Sequence, residues 1–384
     1  MVKVSILGST GSIGTSTLDV VSRLGRSFAV AGLAAGSNIA LLSEQVERFR
    51  PRLVSVARRE DALVLRRRFH GRGLRVAFGP EGAEEVASLA GNDIVVAAIT
   101  GTSGLRPTLA AVRAGVRVAL ANKESMAVAG ALLRAAAARS GAEIIPVDSE
   151  HSGVFQCLAA GRRRHVRRVI LTASGGPFLR TPLAEIPRKS VAEALRHPRW
   201  KMGRKVTVDS ATMMNKGLEL MEARWLFNLP AERLDVLIHP QSIVHALVEL
   251  TDGSVLAQLG PTDMRLPIQY ALTYPDRTAS PLAPLDLAAV GRLEFQPVDE
   301  RRYPLFGLAR RALAAGGSAP VALNAANETA VGAFLAGRIP FGGLSGVVRG
   351  VMDGHVRRSV ADLEAILDVD REAREAARRS LNDR

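Results

Sequence analysis

The stretch VKVSILGSTGSIGTSTLDVVSRL at residues 2–24 decides the fold. Val2 to Leu7 is apolar and β-prone, Gly8 to Gly14 is a glycine-rich turn, and a helical pattern then runs to about Leu24. A strand, a glycine turn and a helix start suit the pyrophosphate of a dinucleotide. Bare backbone lets the anion approach, and unpaired N–H groups at a helix N-terminus favour negative charge. The spacing is G-x-x-G-x-x-G rather than G-x-G-x-x-G, so the turn is informative chiefly through its place at the head of a β-α-β pattern.

Further strands are predicted at Phe28–Ala34, Leu53–Ala57, Leu74–Phe78, Asp93–Ile99, Val116–Ala121 and Glu143–Val147, separated by helical patterns. Such alternation implies a parallel sheet covered on both faces, with ligands at the carboxyl ends of the strands. Those ends carry Gly8 to Gly14, Gly36-Ser37-Asn38, Thr100 to Gly104, Asn122-Lys123-Glu124 and Asp148-Ser149-Glu150. After the second strand the acidic residue that holds the ribose 2′-hydroxyl of NAD is missing, which favours NADP. Arg167–Thr172, Val236–His239 and a hairpin around Thr251 to Ser254 mark a central α+β region. Five prolines between Pro275 and Pro304 mark a connection, and helical patterns follow from Leu305 onward. The predicted fold is therefore α/β: an N-terminal Rossmann-like parallel sheet, a central α+β catalytic domain and a C-terminal helical bundle. The expected division is 1–148 for the cofactor, 149–274 for catalysis, 275–304 as linker and 305–384 as the helical domain.

A net charge of +14 raises nucleic acid as a partner. Yet the basic clusters at 66–68, 162–168 and 310–311 each flank an apolar periodic segment, and only 4% of residues are aromatic, too few for base stacking. An anionic small substrate is the better expectation. One cysteine, Cys157, excludes an internal disulfide and fits a reducing compartment. There is no signal-peptide or membrane-spanning pattern, so a cytoplasmic protein without a membrane partner is expected.

The stretch from His197 to Ala223 concentrates chemistry. Lys205–Val208 reads as a short strand, Asp209 and Ser210 as an N-cap pair, and one helix as running on to about Phe227. Met214, Leu218, Met221 and Trp225 form an apolar stripe, and Asn215, Glu219 and Glu222 share another face. Ser210, Asn215 and Lys216 would then grip a phosphate at the helix start. Taken alone, the stretch also fits an amphipathic helix with a solvated polar face. Asp148 and Glu150, read as extended chain, project to one side and repel unless a cation or proton lies between them. With Glu219 they offer an all-oxygen site suited to Mg²⁺ or Mn²⁺ rather than zinc. Pro198 and Gly203 bracket a loop at 197–204 whose Trp200 and Met202 suggest a lid. Together these features point to reduction of a phosphorylated, metal-chelated carbonyl compound. A semialdehyde dehydrogenase is the nearest rival, and it needs a nucleophilic cysteine. Cys157, in the apolar run Val154 to Leu158, reads as core instead.

At these motifs the sequence resembles the 1-deoxy-D-xylulose 5-phosphate reductoisomerase family along essentially its whole length. The blocks are GSTGSIG at 8–14, LANKES at 120–125, PVDSEHS at 146–152, TASGGPF at 172–178 and HPRWKMGRKVTVDSATMMNKGLE at 197–219. HPQSIVH at 239–245, DGSVLAQLGPTDMR at 252–265 and LNAANE at 323–328 extend it. The resemblance implies NADPH-dependent, metal-dependent rearrangement and reduction of deoxyxylulose phosphate to 2-C-methyl-D-erythritol 4-phosphate. It implies Asp148, Glu150 and Glu219 as ligands of Mg²⁺ or Mn²⁺ (Co²⁺ also fits). It implies Ser174, Ser210, Asn215, Lys216 and His197 on the substrate phosphate, and Lys123 and Ser149 near the metal. Thr10, Gly11, Ser12, Ile13, Gly36, Ser37, Asn38, Asn122, Glu124 and Gly203 match cofactor positions. A homodimer is implied as well. Several relatives carry a basic residue where this chain has Ser37, and Arg58 or Arg59 is a candidate replacement for holding the 2′-phosphate.

Overall fold

The computed structural model describes residues 1–159, 163–200 and 202–382. Arg162 of the basic run and Lys201 of the 197–204 loop lie outside the described residues. Two compact units are formed. The first comprises Met1–Ser125, Leu133–Ser152 and Asp263–Leu282, and the second Met126–Leu132, Gly153–Thr262 and Ala283–Arg384.

The first unit is built on β1 (Val2–Leu7), β2 (Phe28–Ala34), β3 (Leu53–Val56), β4 (Arg75–Phe78), β5 (Ile94–Ala97), β6 (Arg117–Leu120) and β7 (Ile144–Pro146). Their order is β4-β3-β2-β1-β5-β6-β7, and every pairing is parallel. The β3 and β5 runs LVSV and IVVA are buried throughout, as a sheet covered on both faces requires. Strand order reverses direction at β1, which pairs with β2 on one side and β5 on the other. The crevice at that switch point is where open α/β sheets bind ligands, and the glycine turn lies there. Gly8 adopts φ 87°, and a Cβ on it would lie 2.6 Å from the carbonyl oxygen of Ala98, just past β5. A Cβ on Gly14 would lie 2.3 Å from the Gly8 oxygen, so the helix Ser12–Leu24 rests directly on the turn.

The second unit holds β8 (Val166–Ala173), β9 (Leu234–Ile238), β10 (Val244–Leu250), β11 (Val255–Leu259) and β12 (Gln296–Pro297) in the order β11-β10-β8-β9-β12. Among the described residues of this sheet, only β8 and β9 pair in parallel. The predicted hairpin is the antiparallel β10–β11 pair. Four helices follow, Pro304–Ala315, Ala319–Leu335, Gly343–Gly354 and Leu363–Asn382. The last buries Ile366, Val369, Ala373 and Ala377 at helical spacing against the alanine-rich second. No helix among the described residues is long and apolar enough to cross a membrane.

The expected start of the 205–227 segment fails. Lys205–Val208 is not a strand, and Asp209 and Ser210 do not cap a helix: residues Arg204–Ala211 are themselves helical, with Gly203 as N-cap. The alternating valines suggested β structure, but packing overrides that weak preference. An i,i+4 ion pair joins Lys205 Nζ to Asp209 at 2.8 Å, and Thr207 Oγ1 donates to the Gly203 carbonyl. The helix then breaks. Met213 takes φ 60°, the amide of Met214 donates to Thr212 Oγ1 at 3.3 Å, and a second helix runs Met214–Phe227. Ser210 and the Asn215–Lys216 pair thus sit on two helices flanking a corner, not on the first turns of one.

Candidate functional site

In the first unit the residues expected to bind the cofactor lie at the carboxyl edge of the sheet. Thr10 and Gly11 lie in the turn after β1, and Ser12 and Ile13 open the helix that follows. That helix has no side-chain N-cap and no acidic residue in its first turn, so its N–H groups face outward for an anion. Gly36, Ser37 and Asn38 follow β2 and are exposed, and the Asn38 side chain accepts from the Leu41 amide at 3.2 Å. Arg58 is held by the carboxylate of Asp61, at 2.9 and 3.0 Å. Asn122 is buried after β6. It accepts from the Ser125 amide at 2.7 Å, and donates to the carbonyl oxygens of Gly101 at 3.0 Å and of Ile99. Buried Glu124 lies beside it at 3.5 Å. Gly203 is different: it belongs to the second unit, where it starts the helix Arg204–Ala211.

Asp148 and Glu150 are close for a reason other than the one expected. β7 stops at Pro146, and a helix runs Ser149–Ala159, so the pair is not extended chain. The Asp148 carbonyl accepts the Ser152 amide at 2.8 Å, which puts Asp148 at the helix start and Glu150 in its first turn. Lys123 Nζ lies 2.5 Å from Asp148, with both side chains largely buried. Ser149 Oγ donates to Glu150 Oε2 at 2.5 Å.

In the second unit the helix Met214–Phe227 has no solvated polar face. Glu219 and Glu222 are as buried as Met214, Leu218 and Met221. Two buried carboxylates on one helix are costly unless compensated. Lys216 Nζ meets Glu219 at 2.5 Å, and Asn215 Nδ2 donates to its other oxygen at 2.5 Å. The second glycine turn packs against the corner. Gly176 has φ 67°, and a Cβ there would lie 2.7 Å from the Ser210 carbonyl oxygen. The turn therefore carries Ser174 to within reach of the helix bearing Ser210. The half-buried Ser210 hydroxyl makes no side-chain hydrogen bond among the described residues.

His197 ties the 197–204 loop to that turn. Its Nδ1 accepts the amides of Arg199 and Trp200 at 3.2 and 2.9 Å, and its Nε2 lies 3.0 Å from Ser174 Oγ. Burial pushes its pKa down to about 4, so the ring is neutral. With Nδ1 accepting, the proton resides on Nε2 and is donated to Ser174 Oγ. Ser174 Oγ also accepts the Gly176 amide at 3.1 Å, so both its lone pairs are occupied and its own proton remains to donate outward. Arg199 Nε donates to the Pro240 carbonyl at 3.3 Å, and the Trp200 ring lies 6.4 Å from that of His245. Trp200 and Met202 are half-buried.

Sequence reasoning did not single out His151 as a site residue, though it is fully buried, nor Glu222 beyond its helical spacing. For Glu222 the signal was present: it falls three residues after Glu219, on the same face. Cys157 is buried in the helix Ser149–Ala159, and burial pushes its thiol pKa up, opposite to what a nucleophile needs.

Known proteins carry the same arrangement of sequence. The family models for 1-deoxy-D-xylulose 5-phosphate reductoisomerase match residues 4–130 and, for its C-terminal domain, 144–227; that for the DXP reductoisomerase C-terminal domain matches 259–376. The reductoisomerase of Geobacter metallireducens is 52% identical over 378 residues, covering 98% of each chain. That of Chlorobium chlorochromatii is 50% identical over 377 residues, 98% of this chain and 99% of the relative. A crystal structure of DOX-P reductoisomerase in complex with NADPH, fosmidomycin and magnesium superposes with a TM-score of 0.95 at 40% identity, covering 100% of this chain and 98% of that one. The Zymomonas mobilis enzyme in complex with NADPH gives 0.92 at 41% identity and 99% coverage of each. A glycine turn at the sheet's switch point, a serine-lined corner and full-length likeness at half identity lead to one conclusion: the chain belongs to the 1-deoxy-D-xylulose 5-phosphate reductoisomerase family.

Proposed function

We propose that this chain converts 1-deoxy-D-xylulose 5-phosphate to 2-C-methyl-D-erythritol 4-phosphate, with NADPH as reductant and Mg²⁺ or Mn²⁺ as metal. Beyond family membership, the observation that carries the reading is the corner in the second unit. There Ser174 is joined to His197, the Gly176 turn packs on the helix bearing Ser210, and Asn215, Lys216 and buried Glu219 follow on the next helix. A phosphate dianion suits this set, because hydroxyl donors flank the corner and the Lys216 ammonium stands in the first turn of the helix Met214–Phe227.

The carboxylates suit a hard cation. Asp148, Glu150 and Glu219 offer oxygen only, and in this structure Asp148 and Glu219 each have a lysine ammonium as charge partner at 2.5 Å. When bound, the cation supplies a Lewis acid toward the substrate's ketone and hydroxyl oxygens. The glycine turn suits a pyrophosphate: side chains at Gly8 and Gly14 would collide with the Ala98 and Gly8 carbonyls, so glycine there lets the helix start sit close against the strand end. NADPH, when bound there, supplies the hydride. The chain's own part is to bind and orient. Ser174 and Ser210 donate to the phosphate, Lys216 compensates its charge, and Lys123 and Ser149 contact substrate beside the carboxylates. Trp200 and Met202 act as the lid that excludes water while a reactive aldehyde awaits reduction.

By role the chain divides into a cofactor part at 1–148, a catalytic part at 149–274, a connection at 275–304 and a helical part at 305–384. A cytoplasmic homodimer completes the proposal. The test is NADPH oxidation with deoxyxylulose phosphate, with and without Mg²⁺ or Mn²⁺. Turnover that needs both substrate and metal supports the assignment, and no oxidation under saturating metal overturns it.

A further inference from the structure

The C-terminal helices make a polar contact with the residue next to Ser210. Asp209, the residue before Ser210, is 1% exposed. A carboxylate that deep needs partners, and it has two. Lys205 lies one turn back on the same helix at 2.8 Å, so that pair neutralises charge within one helix. Asn327, from the helix Ala319–Leu335, donates its amide to Asp209 at 2.8 Å. Among the described residues, that is the side-chain hydrogen bond joining Asp209 to another element.

Asn327 is an odd residue for its place. It is fully buried in a stretch where Val321, Ala322, Leu323, Ala325, Ala326 and Ala330 surround it in sequence and are buried too. Its Oδ1 finds no hydrogen-bond partner among the described residues, which disfavours an amide at this place. Turning the amide over would not help, because the oxygen would then face the Asp209 carboxylate. Packing alone would be better served by alanine or leucine. A residue that breaks a local rule at a stability cost is expected where function requires it. The helix bearing it is braced from behind. Glu328, the next residue, accepts from Arg374 of the terminal helix at 2.5 Å, and Arg374 is held in turn by Asp370 at 2.6 Å.

We propose that Asn327 is a positioning residue for the phosphate site, anchoring Asp209 and thereby setting the place of Ser210 against the Gly176 turn. The proposal rests on the reading that Ser210 contacts substrate phosphate. It gives the C-terminal helices a task in substrate binding, through a residue set behind the phosphate site.

The test is Asn327→Leu, which keeps volume and removes the donor. The KM for deoxyxylulose phosphate is expected to rise about tenfold, since small displacements of a binding group cost that much or more. kcat and the NADPH Kd, the latter read by fluorescence, are expected to stay within about twofold, as for sites without shared partners. An unchanged KM overturns the inference, and so does parallel weakening of both ligands, which is what general destabilisation produces. If the leucine variant is recovered unfolded, Asn327→Ser keeps a donor on a shorter arm and must show the same split. Ser210→Ala separates the two levels. No rise in KM there removes the phosphate reading and the inference with it. A rise there beside an unchanged KM in Asn327→Leu removes the inference alone.

Discussion

The glycine turn of the first unit and the helical corner of the second are the two anion sites we propose, and they are built differently. The turn works through backbone. Gly8 needs a positive φ and Gly14 needs no side chain, because the strand end and the helix N-terminus crowd them within a few residues of sequence. The corner works through side chains whose supports come from afar: Gly176 beneath Ser210, His197 beside Ser174, and Asn327 behind Asp209. A backbone site announces itself in local sequence, whereas a side-chain site depends on contacts that sequence does not display.

The sharpest break of this comparison is expected at the corner. Glu219→Gln preserves shape but removes one negative charge from a fully buried group and leaves Lys216 without its counter-charge. Turnover is expected to fall on the order of a thousandfold, with weakened metal affinity and an unchanged fold by circular dichroism. Titration with Mn²⁺ gives the check; near-normal turnover at saturation would exclude Glu219 from the metal set.

A smaller effect is expected from Lys216→Ala. The KM for deoxyxylulose phosphate should rise on the order of a hundredfold, while the NADPH Kd stays within about twofold, because an ammonium facing a dianion is a strong charge-assisted contact. Removing one partner of a buried pair also costs about 3–5 kcal/mol, so a lower Tm should accompany it. If both ligands weaken equally, Lys216 serves the cofactor, and the contrast between the two regions dissolves.

Much of the fold was legible, for the same reason the turn was. β1 and β2 coincide with their expected spans, and the other strands of the first sheet differ only at their ends. Continuous apolar runs between glycine-rich turns have few other uses in a chain of this composition. The misreadings share a cause. Lys205–Val208 alternates like a strand, and the 148–150 segment looked extended, but both are helical because of where their neighbours lie. The break at Met213 had no glycine or proline to announce it. The burial of Glu219 and Glu222 could not be read from spacing either, since a helix with one apolar stripe usually exposes its carboxylates.

The loop at 197–204 offers a milder perturbation, through pH. The His197 pKa is held near 4 by burial, against 6.5 for a free imidazole. The latched state therefore prefers the neutral ring. Its advantage is complete above about pH 6.5 and declines as pH falls toward 4, because the open loop takes up the proton first. Protonation of Nδ1 also removes the acceptor of the Arg199 and Trp200 amides. Exchange of those two amides, corrected for intrinsic rate, should therefore quicken several-fold between pH 6.5 and pH 4 and stay flat above pH 7. NADPH, metal and a phosphonate substrate mimic together should restore protection and suppress tryptic cleavage at Arg199 and Arg204. Cleavage at one rate with and without the three ligands would leave a pinned loop rather than a lid.

The smallest effect is expected at Cys157. A semialdehyde dehydrogenase with a similar cofactor turn forms a thioester, and this is the chain's one cysteine. Its surroundings argue against that chemistry. The side chain is buried in the helix Ser149–Ala159, and desolvation raises its thiol pKa, so little thiolate exists near neutral pH. Cys157→Ala removes one sulfur from a packed site, a loss of about 1–2 kcal/mol in stability at most. kcat and both ligand affinities should remain within about twofold of wild type, because a hydride transferred to an aldehyde needs no covalent enzyme intermediate. A loss of turnover that outstripped the loss of stability would bring the thioester route back. It would also move the chemistry away from the carboxylates and the corner, and so undo the contrast between the two regions at its root.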